Sequence, residues 1–218
     1  MDEDVRLAVY ARLSATGIEP TVADLAMDTG LDVATVTAAL GRLHESRDLV
    51  LRDGHIVMAH PFATIPLGFS VMGTKTLWWG GCAWDSFAIP HLVPAEPEVL
   101  VATRCRNCGT PHAWTVRADE PPPGPQVAHF LLPVAKVWDD VVRACDNQRI
   151  FCDSACVTTW LARTHNPRGY EMDLATLWRL ARGWYAGRLD RGYQRREPSS
   201  AASYFASVGL TGPFWGLG

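Results

Sequence analysis

The segment Asp48-Leu49-Val50-Leu51-Arg52-Asp53-Gly54-His55-Ile56-Val57-Met58 decides the fold of the first part of the chain. Its Asp-Gly pair stands between two short runs of alternating apolar and polar side chains, which is typical of two strands joined by a tight hairpin turn. Upstream, residues 4–14 are amphipathic, Thr21 begins a capping-box-like start, and Asp32 precedes a run with apolar positions on one face. The sequence therefore predicts helices followed by a hairpin.

Helices at helix-turn-helix spacing before such a hairpin resemble a winged-helix domain, which we assign to residues 1–61. DNA binding would be its obvious function. However, residues 2–53 carry ten Asp or Glu against five Arg and no Lys, and the expected recognition helix has one arginine, Arg42. Because binding to DNA depends on neutralising phosphates, this unit is expected to be a structural cap or a dimerisation module and not a nucleic-acid reader.

The composition describes a cytoplasmic protein that binds neither nucleic acid nor membrane. The chain has 218 residues, 48% of them hydrophobic, with a net charge of -3 and an isoelectric point near 6.1. It lacks the overall positive field that attracts polyanions, and its acidic start, Met1-Asp2-Glu3-Asp4, does not resemble a secretion signal. One core with an appended small unit fits this length.

Residues 62–218 are predicted to form the main body, of α+β class. A small mixed or antiparallel sheet with flanking helices and a treble-clef-like core is expected, since short β-branched or aromatic runs alternate with helical spacings. A later helix carries Arg179 and Arg182, and with Arg188 they are expected to form a solvated face. The predicted strands are Val99–Thr103, His112–Arg117, His129–Pro133 and Arg149–Phe151, and the predicted helices are Val134–Ala144 and a segment beginning at Asp153 or Ser154.

Four of the six cysteines have the spacing of a metal site. Cys105 and Cys108 form a CxxC motif followed by glycine between two predicted strands, and Cys152 and Cys156 lie at a strand end and in the first turn of a helix. This pattern resembles a treble-clef site, in which four thiolates hold one structural Zn²⁺. The alternative is that some of the four are buried apolar residues.

The other two cysteines, Cys82 and Cys145, are candidates for chemistry. In Gly80-Gly81-Cys82-Ala83-Trp84-Asp85-Ser86, the carboxyl of Asp85 follows the thiol by three residues, so a helix would place both on one face. Cys145 follows a predicted helix, and spacing alone does not show that it meets Cys82. A Cys–Asp pair at this spacing is also common in structural roles.

These residues resemble the organomercurial (alkylmercury) lyases. That family carries a Cys-Ala-x-Asp-[Ser/Thr] segment near a proline, a cysteine before a Gly-x-Pro turn, and a catalytic cysteine before a Phe and a later Trp. Here these stand as Cys82 to Ser86 with Pro90, as Cys105 with Gly109-Thr110-Pro111, and as Cys145 with Phe151 and Trp160. The resemblance covers about residues 1–165 and implies that Cys82, Asp85 and Cys145 are catalytic and that Cys105 is not.

The chain departs from the family pattern in two ways. Gly81 stands where an aromatic residue commonly precedes the first cysteine, which is expected to open the substrate pocket. Cys108, Cys152 and Cys156 are additional to the pattern, which suggests a branch that keeps a zinc ion to stabilise the fold.

The resemblance implies protonolysis of a carbon–mercury bond. Hg(II) is a soft metal that binds thiolate strongly, so Cys145 and Cys82 would engage it while Asp85 moves a thiol proton to carbon. A small organomercurial would be the substrate, a hydrocarbon and Hg(II) the products, and external thiols would remove the ion, without an organic cofactor. Three alternatives stay open: a related enzyme acting on another substrate, a thiol-based metal-responsive DNA-binding regulator, and a metal-storage protein.

Overall fold

Three helices and a hairpin form the N-terminal part of the computed structural model, which describes residues 1–196 and 198–216. Thr21 and Asp24 form a capping box at the second helix, and Asp32 caps the third. Asp53 and Gly54 both adopt positive φ, 51° and 82°, as a tight two-residue hairpin turn requires. The arrangement is compatible with the predicted winged helix, and its elements are α1 (Asp2–Thr16), α2 (Val22–Thr29), α3 (Val33–Glu45), β1 (Val50–Arg52) and β2 (His55–Ala59).

The hairpin continues into a seven-stranded antiparallel sheet in the order β1-β2-β3-β5-β4-β6-β7. The sheet includes strands from both sides of residue 61, where we placed a domain boundary: β2 lies before this residue and pairs with β3, which begins directly after it. Sequence analysis missed three short strands and found the two long ones. The added strands are β3 (Phe62–Ala63), β4 (Phe69–Met72), β5 (Leu77–Gly80), β6 (Glu98–Arg104) and β7 (Pro111–Arg117).

A second antiparallel sheet, in the order β10-β8-β9, lies beside the first. The helix predicted over Val134–Ala144 is wrong as a single element: residues Val134–Asp139 form a 3-10 turn, and the helix starts afresh after Asp140. Asp140 is extended and its side chain accepts the backbone N–H of Arg143, so it caps a new helix and does not continue an old one. The elements here are β8 (Val127–Phe130), α5 (Val141–Asp146), β9 (Gln148–Phe151), α6 (Ser154–Thr164) and β10 (Tyr170–Asp173).

One helix, α4 (Ala83–Leu92), is buried along nearly its whole length between the main sheet and α7 (Leu174–Trp184). Most of its side chains are apolar, as is common for a helix enclosed by protein. Because this helix begins at Cys82, its N-terminus carries the candidate groups into the core. The last helix, α8 (Pro198–Ser207), packs near that end through Phe205. In the described residues, no helix has the length and apolar character needed to cross a membrane.

Candidate active site

Cys82 and Asp85 meet at the first turn of α4, as their spacing predicts. Cys82 is the N-cap residue: its Sγ accepts the backbone N–H of Asp85 at 3.4 Å, and its thiol donates to Asp85 Oδ2 at 3.2 Å. The positive end of the helix dipole also favours negative charge at this position. Both side chains are buried, with 2% and 1% of their surface exposed.

Gly81 allows this arrangement because a side chain there would collide with the carboxylate. A Cβ at Gly81 would lie 2.4 Å from Asp85 Oδ2 and 2.6 Å from the Met58 methyl group. Within the described part of the chain, Gly81 does not line the cavity at this site. The expectation that Gly81 opens the substrate pocket is therefore wrong: its missing side chain makes room for the carboxylate.

Cys145, near the end of α5, reaches the same carboxylate oxygen. Its thiol lies 3.8 Å from Asp85 Oδ2, and the residue is 3% exposed. Two thiols therefore share one oxygen in the core, although 60 residues separate Asp85 from Cys145. The structure brings together all three residues that the resemblance implied.

Two further residues complete the site, and sequence analysis missed both. His60 Nε2 lies 3.6 Å from Cys145 Sγ, and the ligand atoms of His60, Asp85 and Cys145 all lie within 4.8 Å of one another. The Tyr185 hydroxyl donates to Asp85 Oδ1 at 2.5 Å from a position 100 residues away. A lone histidine before a proline and a tyrosine after a helix carry no pattern that would have identified them.

The two thiols differ in acidity. Burial, together with the neighbouring Cys145 and Asp85, raises the pKa of Cys82 well above its ordinary value. The neighbouring Cys82 thiol, assisted by His60, outweighs burial and lowers the pKa of Cys145. Burial would lower the pKa of His60, but the charge of Asp85 and the contact with Cys145 leave it raised. Cys145 is therefore the more acidic thiol of the pair.

A cavity of about 400 Å³ opens onto these groups. Much of its wall is aromatic: the ring of Trp84 lies 4.7 Å from that of Trp184 and 6.3 Å from that of Trp215. Such walls suit an apolar group and exclude water. The C-terminal residues therefore help to build the site, whereas sequence analysis assigned them only to packing around the body.

Arg188 also lines this cavity, which corrects its assignment to a solvated face. It is only 3% exposed and donates to the Tyr10 hydroxyl at 2.6 Å and the Asp48 carbonyl at 2.9 Å. The chain turns back toward the N-terminal helices after α7, so this arginine faces inward. Arg179 and Arg182, which lie on α7 itself, are exposed as expected.

The other four cysteines converge away from this cavity. The Sγ atoms of Cys105, Cys108, Cys152 and Cys156 lie within 4.8 Å of one another, with Cys108 3.5 Å from Cys152 and 4.0 Å from Cys156. The turn between β6 and β7 presents the first two, and the start of α6 the last two. Hydrogen bonds, first from Thr110, lower the pKa of Cys108 to about 6. This donor set can hold a metal ion.

Two comparisons with known proteins gave a match. The family model for alkylmercury lyase, MerB, matches residues 62–186. Among solved structures, the crystal structure of the mercury-bound form of MerB2 superposes with a TM-score of 0.62 at 18% sequence identity, covering 82% of this chain and 88% of that chain. That similarity shows a shared α+β fold. A search of curated proteins found no match.

Proposed function

Because the chain belongs to the alkylmercury lyase family, we propose that it cleaves carbon–mercury bonds with Cys82, Asp85 and Cys145 as the reacting groups. The observation that carries this proposal is that Asp85 Oδ2 faces both thiols, at 3.2 Å and 3.8 Å. Thiolates bind soft metals strongly, and a carboxyl group between two thiols can take a proton from sulfur and deliver it to carbon.

The difference in acidity between the thiols suggests an order of events. The Cys145 thiolate forms the first sulfur–mercury bond, and the previous ligand of mercury leaves with its electron pair. The Cys82 thiol then gives its proton to Asp85 and forms the second sulfur–mercury bond. The carbon–mercury electron pair takes this proton from Asp85, so a hydrocarbon leaves and Hg(II) stays between two thiolates. External thiols then remove the ion by ligand exchange.

The neighbouring side chains support this sequence. Tyr185 binds Asp85 Oδ1 and leaves Oδ2 facing the thiols, while burial raises the Tyr185 pKa so that its hydroxyl stays a donor. His60 lies against Cys145, where its proximity favours the thiolate. The aromatic walls suit the organic group and limit the water that could compete as a proton source.

The proposal is tested by incubating the protein with methylmercury or phenylmercury and excess thiol, and measuring methane or benzene in the headspace. We expect one molecule of the matching hydrocarbon for each organomercurial molecule consumed, and many turnovers for each protein molecule. Failure to release either hydrocarbon, from protein shown to be folded and to have free thiols, would contradict the lyase function.

Zinc binding at Cys105, Cys108, Cys152 and Cys156 is a second part of the proposal. With zinc–sulfur bonds of about 2.3 Å, tetrahedral geometry places the sulfur atoms about 3.8 Å apart. The observed separations of 3.5 Å and 4.0 Å bracket this value. A small separate cluster that includes Phe151 and Trp160 lies beneath the cysteines, and a core of this size gains much from a metal.

Metal analysis of protein purified without added zinc tests this part. We expect one equivalent of zinc per chain, and loss of that zinc together with a lower melting temperature in a Cys108→Ser, Cys156→Ser variant. The lyase groups are left intact in this variant. Metal-free protein with unchanged stability would show that the four cysteines are structural without an ion.

A further inference from the structure

Four arginines line the cavity above the two thiols, against two carboxylates. Asp85 and Asp139 are the acidic residues of the wall, and the arginines are Arg47, Arg188, Arg195 and Arg196. Among the residues that the structure describes, none of the four forms an ion pair. Arg188 is satisfied by hydroxyl and carbonyl oxygens inside the protein. The described residues of the wall therefore carry more positive than negative charge, and this excess faces the cavity.

Two of these arginines lie on one tryptophan ring at the outer end of the cavity. The guanidinium carbons of Arg47 and Arg195 lie 5.7 Å and 5.3 Å from the centre of the Trp138 ring. Arg47 is exposed and Arg195 half-buried, and Arg195 Nη1 is enclosed and has no hydrogen-bond partner within residues 1–196 and 198–216. Burial lowers the pKa of Arg195, and the charge of Arg47 lowers it further. The charge of Asp48 opposes these effects at Arg195. Among the described residues, neither arginine forms an ion pair with a carboxylate, and two such cations held together favour an incoming anion.

This group, the cationic mouth formed by Arg47, Trp138 and Arg195, leads to the reacting sulfur. The Trp138 ring meets the His60 ring edge to face at 5.7 Å, and His60 touches Cys145. Deeper in the cavity, Arg188 also lies over the Tyr193 ring, but its guanidinium is already engaged by hydroxyl and carbonyl oxygens, and much of the wall there is aromatic. An organic group therefore fits inside, while a charged group attached to the same mercury atom fits at the mouth.

We propose that the cationic mouth binds the carboxylate of a small thiol that carries the organomercurial to the site. This inference rests on the lyase function proposed above. When the Cys145 thiolate forms its bond to mercury, the carrier thiolate leaves with the electron pair of its own sulfur–mercury bond. The organic group stays on mercury. A carboxylate on the organic group has the same chemistry, and the experiment separates these two sources.

The test presents phenylmercury in excess N-acetylcysteine or in excess N-acetylcysteine amide, which differ by one carboxylate. We expect the kcat/KM for benzene release to be about fivefold higher with the acid than with the amide, because contacts of a carboxylate with one exposed and one half-buried arginine each contribute modestly. An Arg47→Gln, Arg195→Gln variant loses this preference. An Arg179→Gln, Arg182→Gln variant, which removes two exposed arginines outside the cavity, keeps it.

A further experiment presents 4-carboxyphenylmercury in excess N-acetylcysteine amide, so that the organic group carries the carboxylate and the thiol does not. If the carboxylate raises kcat/KM only when it is on the organic group, the assignment to the carrier thiol is overturned. Equal benzene release with both thiols would overturn the cationic mouth and leave the lyase function standing. If no adduct releases benzene, the lyase function fails. Binding of the two adducts, measured by tryptophan fluorescence, then tests the cationic mouth by itself. Tighter binding of the acid adduct supports the mouth, and equal binding overturns it.

Discussion

Asp85 is the residue at which the site converges. Its Oδ2 faces two thiols and its Oδ1 accepts the Tyr185 hydroxyl, so each oxygen has a separate task. A carboxylate with this set of neighbours can exchange a proton with sulfur without changing its position. The effects of substitutions at and around it follow from which neighbour is lost.

Replacing Asp85 with asparagine is expected to stop turnover while mercury binding persists. The amide keeps the size of the side chain but cannot carry the thiol proton to carbon, so kcat should fall by about 10²-fold or more. Headspace benzene and the stoichiometry of bound phenylmercury measure the two properties separately. Asp139→Asn, at an exposed carboxylate of the same cavity, serves as the control. Unchanged kcat in Asp85→Asn would show that another group supplies the proton.

Replacing Tyr185 with phenylalanine removes the donor to Asp85 Oδ1 and leaves the ring in place. Since a hydrogen bond to a charged group contributes about 1.5–3 kcal/mol, kcat should fall by about 10- to 150-fold, with little change in KM. Steady-state kinetics with phenylmercury measure both constants. Tyr170→Phe is a matched control, because the Tyr170 ring packs on Phe214 away from the thiols. An equal loss in both variants would indicate a packing effect.

The pH dependence of the reaction should reflect the Cys145 thiolate. Because the Cys145 pKa is lowered, chiefly through Cys82 and also through His60, kcat/KM should rise with pH at lower pH than an ordinary thiol would allow. His60→Gln removes one cause of the lowering, so the Cys145 pKa rises and the ascending limb moves to higher pH. His91→Gln, near Trp178, should leave the limb in place.

The start of α4 is the element that sets the geometry of the site. Local rules account for its cap: Cys82 is the N-cap residue and Asp85 stands three residues later, in the first turn. The preceding Gly80-Gly81 pair allows the strand to pass close to that turn. A Cβ at Gly80 would lie 2.0 Å from Ser86 Oγ, which is the same kind of close approach as at Gly81.

Gly81→Ala is expected to lower both activity and stability. The new methyl group would displace the Asp85 carboxylate or Met58, and overpacking of this kind costs about 1–3 kcal/mol, or several degrees in melting temperature. Gly41→Ala is the matched control, because Gly41 lies within α3 with open space around it and should gain about 0.5–1 kcal/mol. Thermal melts and benzene assays of both variants test this, and full activity in Gly81→Ala would contradict it.

Across the whole molecule, the N-terminal helices support the wall of the active site. Arg6, buried on α1, donates to the carbonyls of Arg188 and Asp190, and the Trp78 indole donates to the Leu13 carbonyl. Arg42, on α3, is paired with Asp2, so few cations of this unit are free for phosphates. These contacts favour a supporting role for residues 1–61, and the absence of a nucleic-acid partner stays a prediction.

Removing residues 1–61 should prevent folding of the remainder. The truncated chain loses two strands of the seven-stranded sheet, the contacts of Arg6 and the His60 side chain. We therefore expect the intact chain to unfold in a single calorimetric transition and residues 62–218 to lack a cooperative melt by circular dichroism. Two separate transitions, or an active truncated protein, would instead support two independent domains divided at residue 61.

The amino-acid sequence by itself determined what depends on neighbours along the chain. Caps at Thr21 and Asp32 and the Asp53-Gly54 turn follow from spacing, because a few local hydrogen bonds or one backbone conformation decide each of them. The spacing of the cysteines in pairs suggested their division into four and two, which the structure matches. Short strands such as β4 were missed, since strand pairing depends on distant partners. The helix predicted over Val134–Ala144 failed because helical spacing did not reveal that Asp140 begins a new helix.

Only the tertiary structure decided which distant groups share the buried pocket. His60 and Tyr185 reach the thiols and the carboxylate from opposite ends of the chain, and Arg188 turns inward where spacing suggested solvent. Spacing could suggest Cys82 and Asp85 as a pair, but the meeting with Cys145 depends on how the sheets and α4 pack. Packing is set by the burial of the whole apolar surface, and it therefore cannot be read from any one segment.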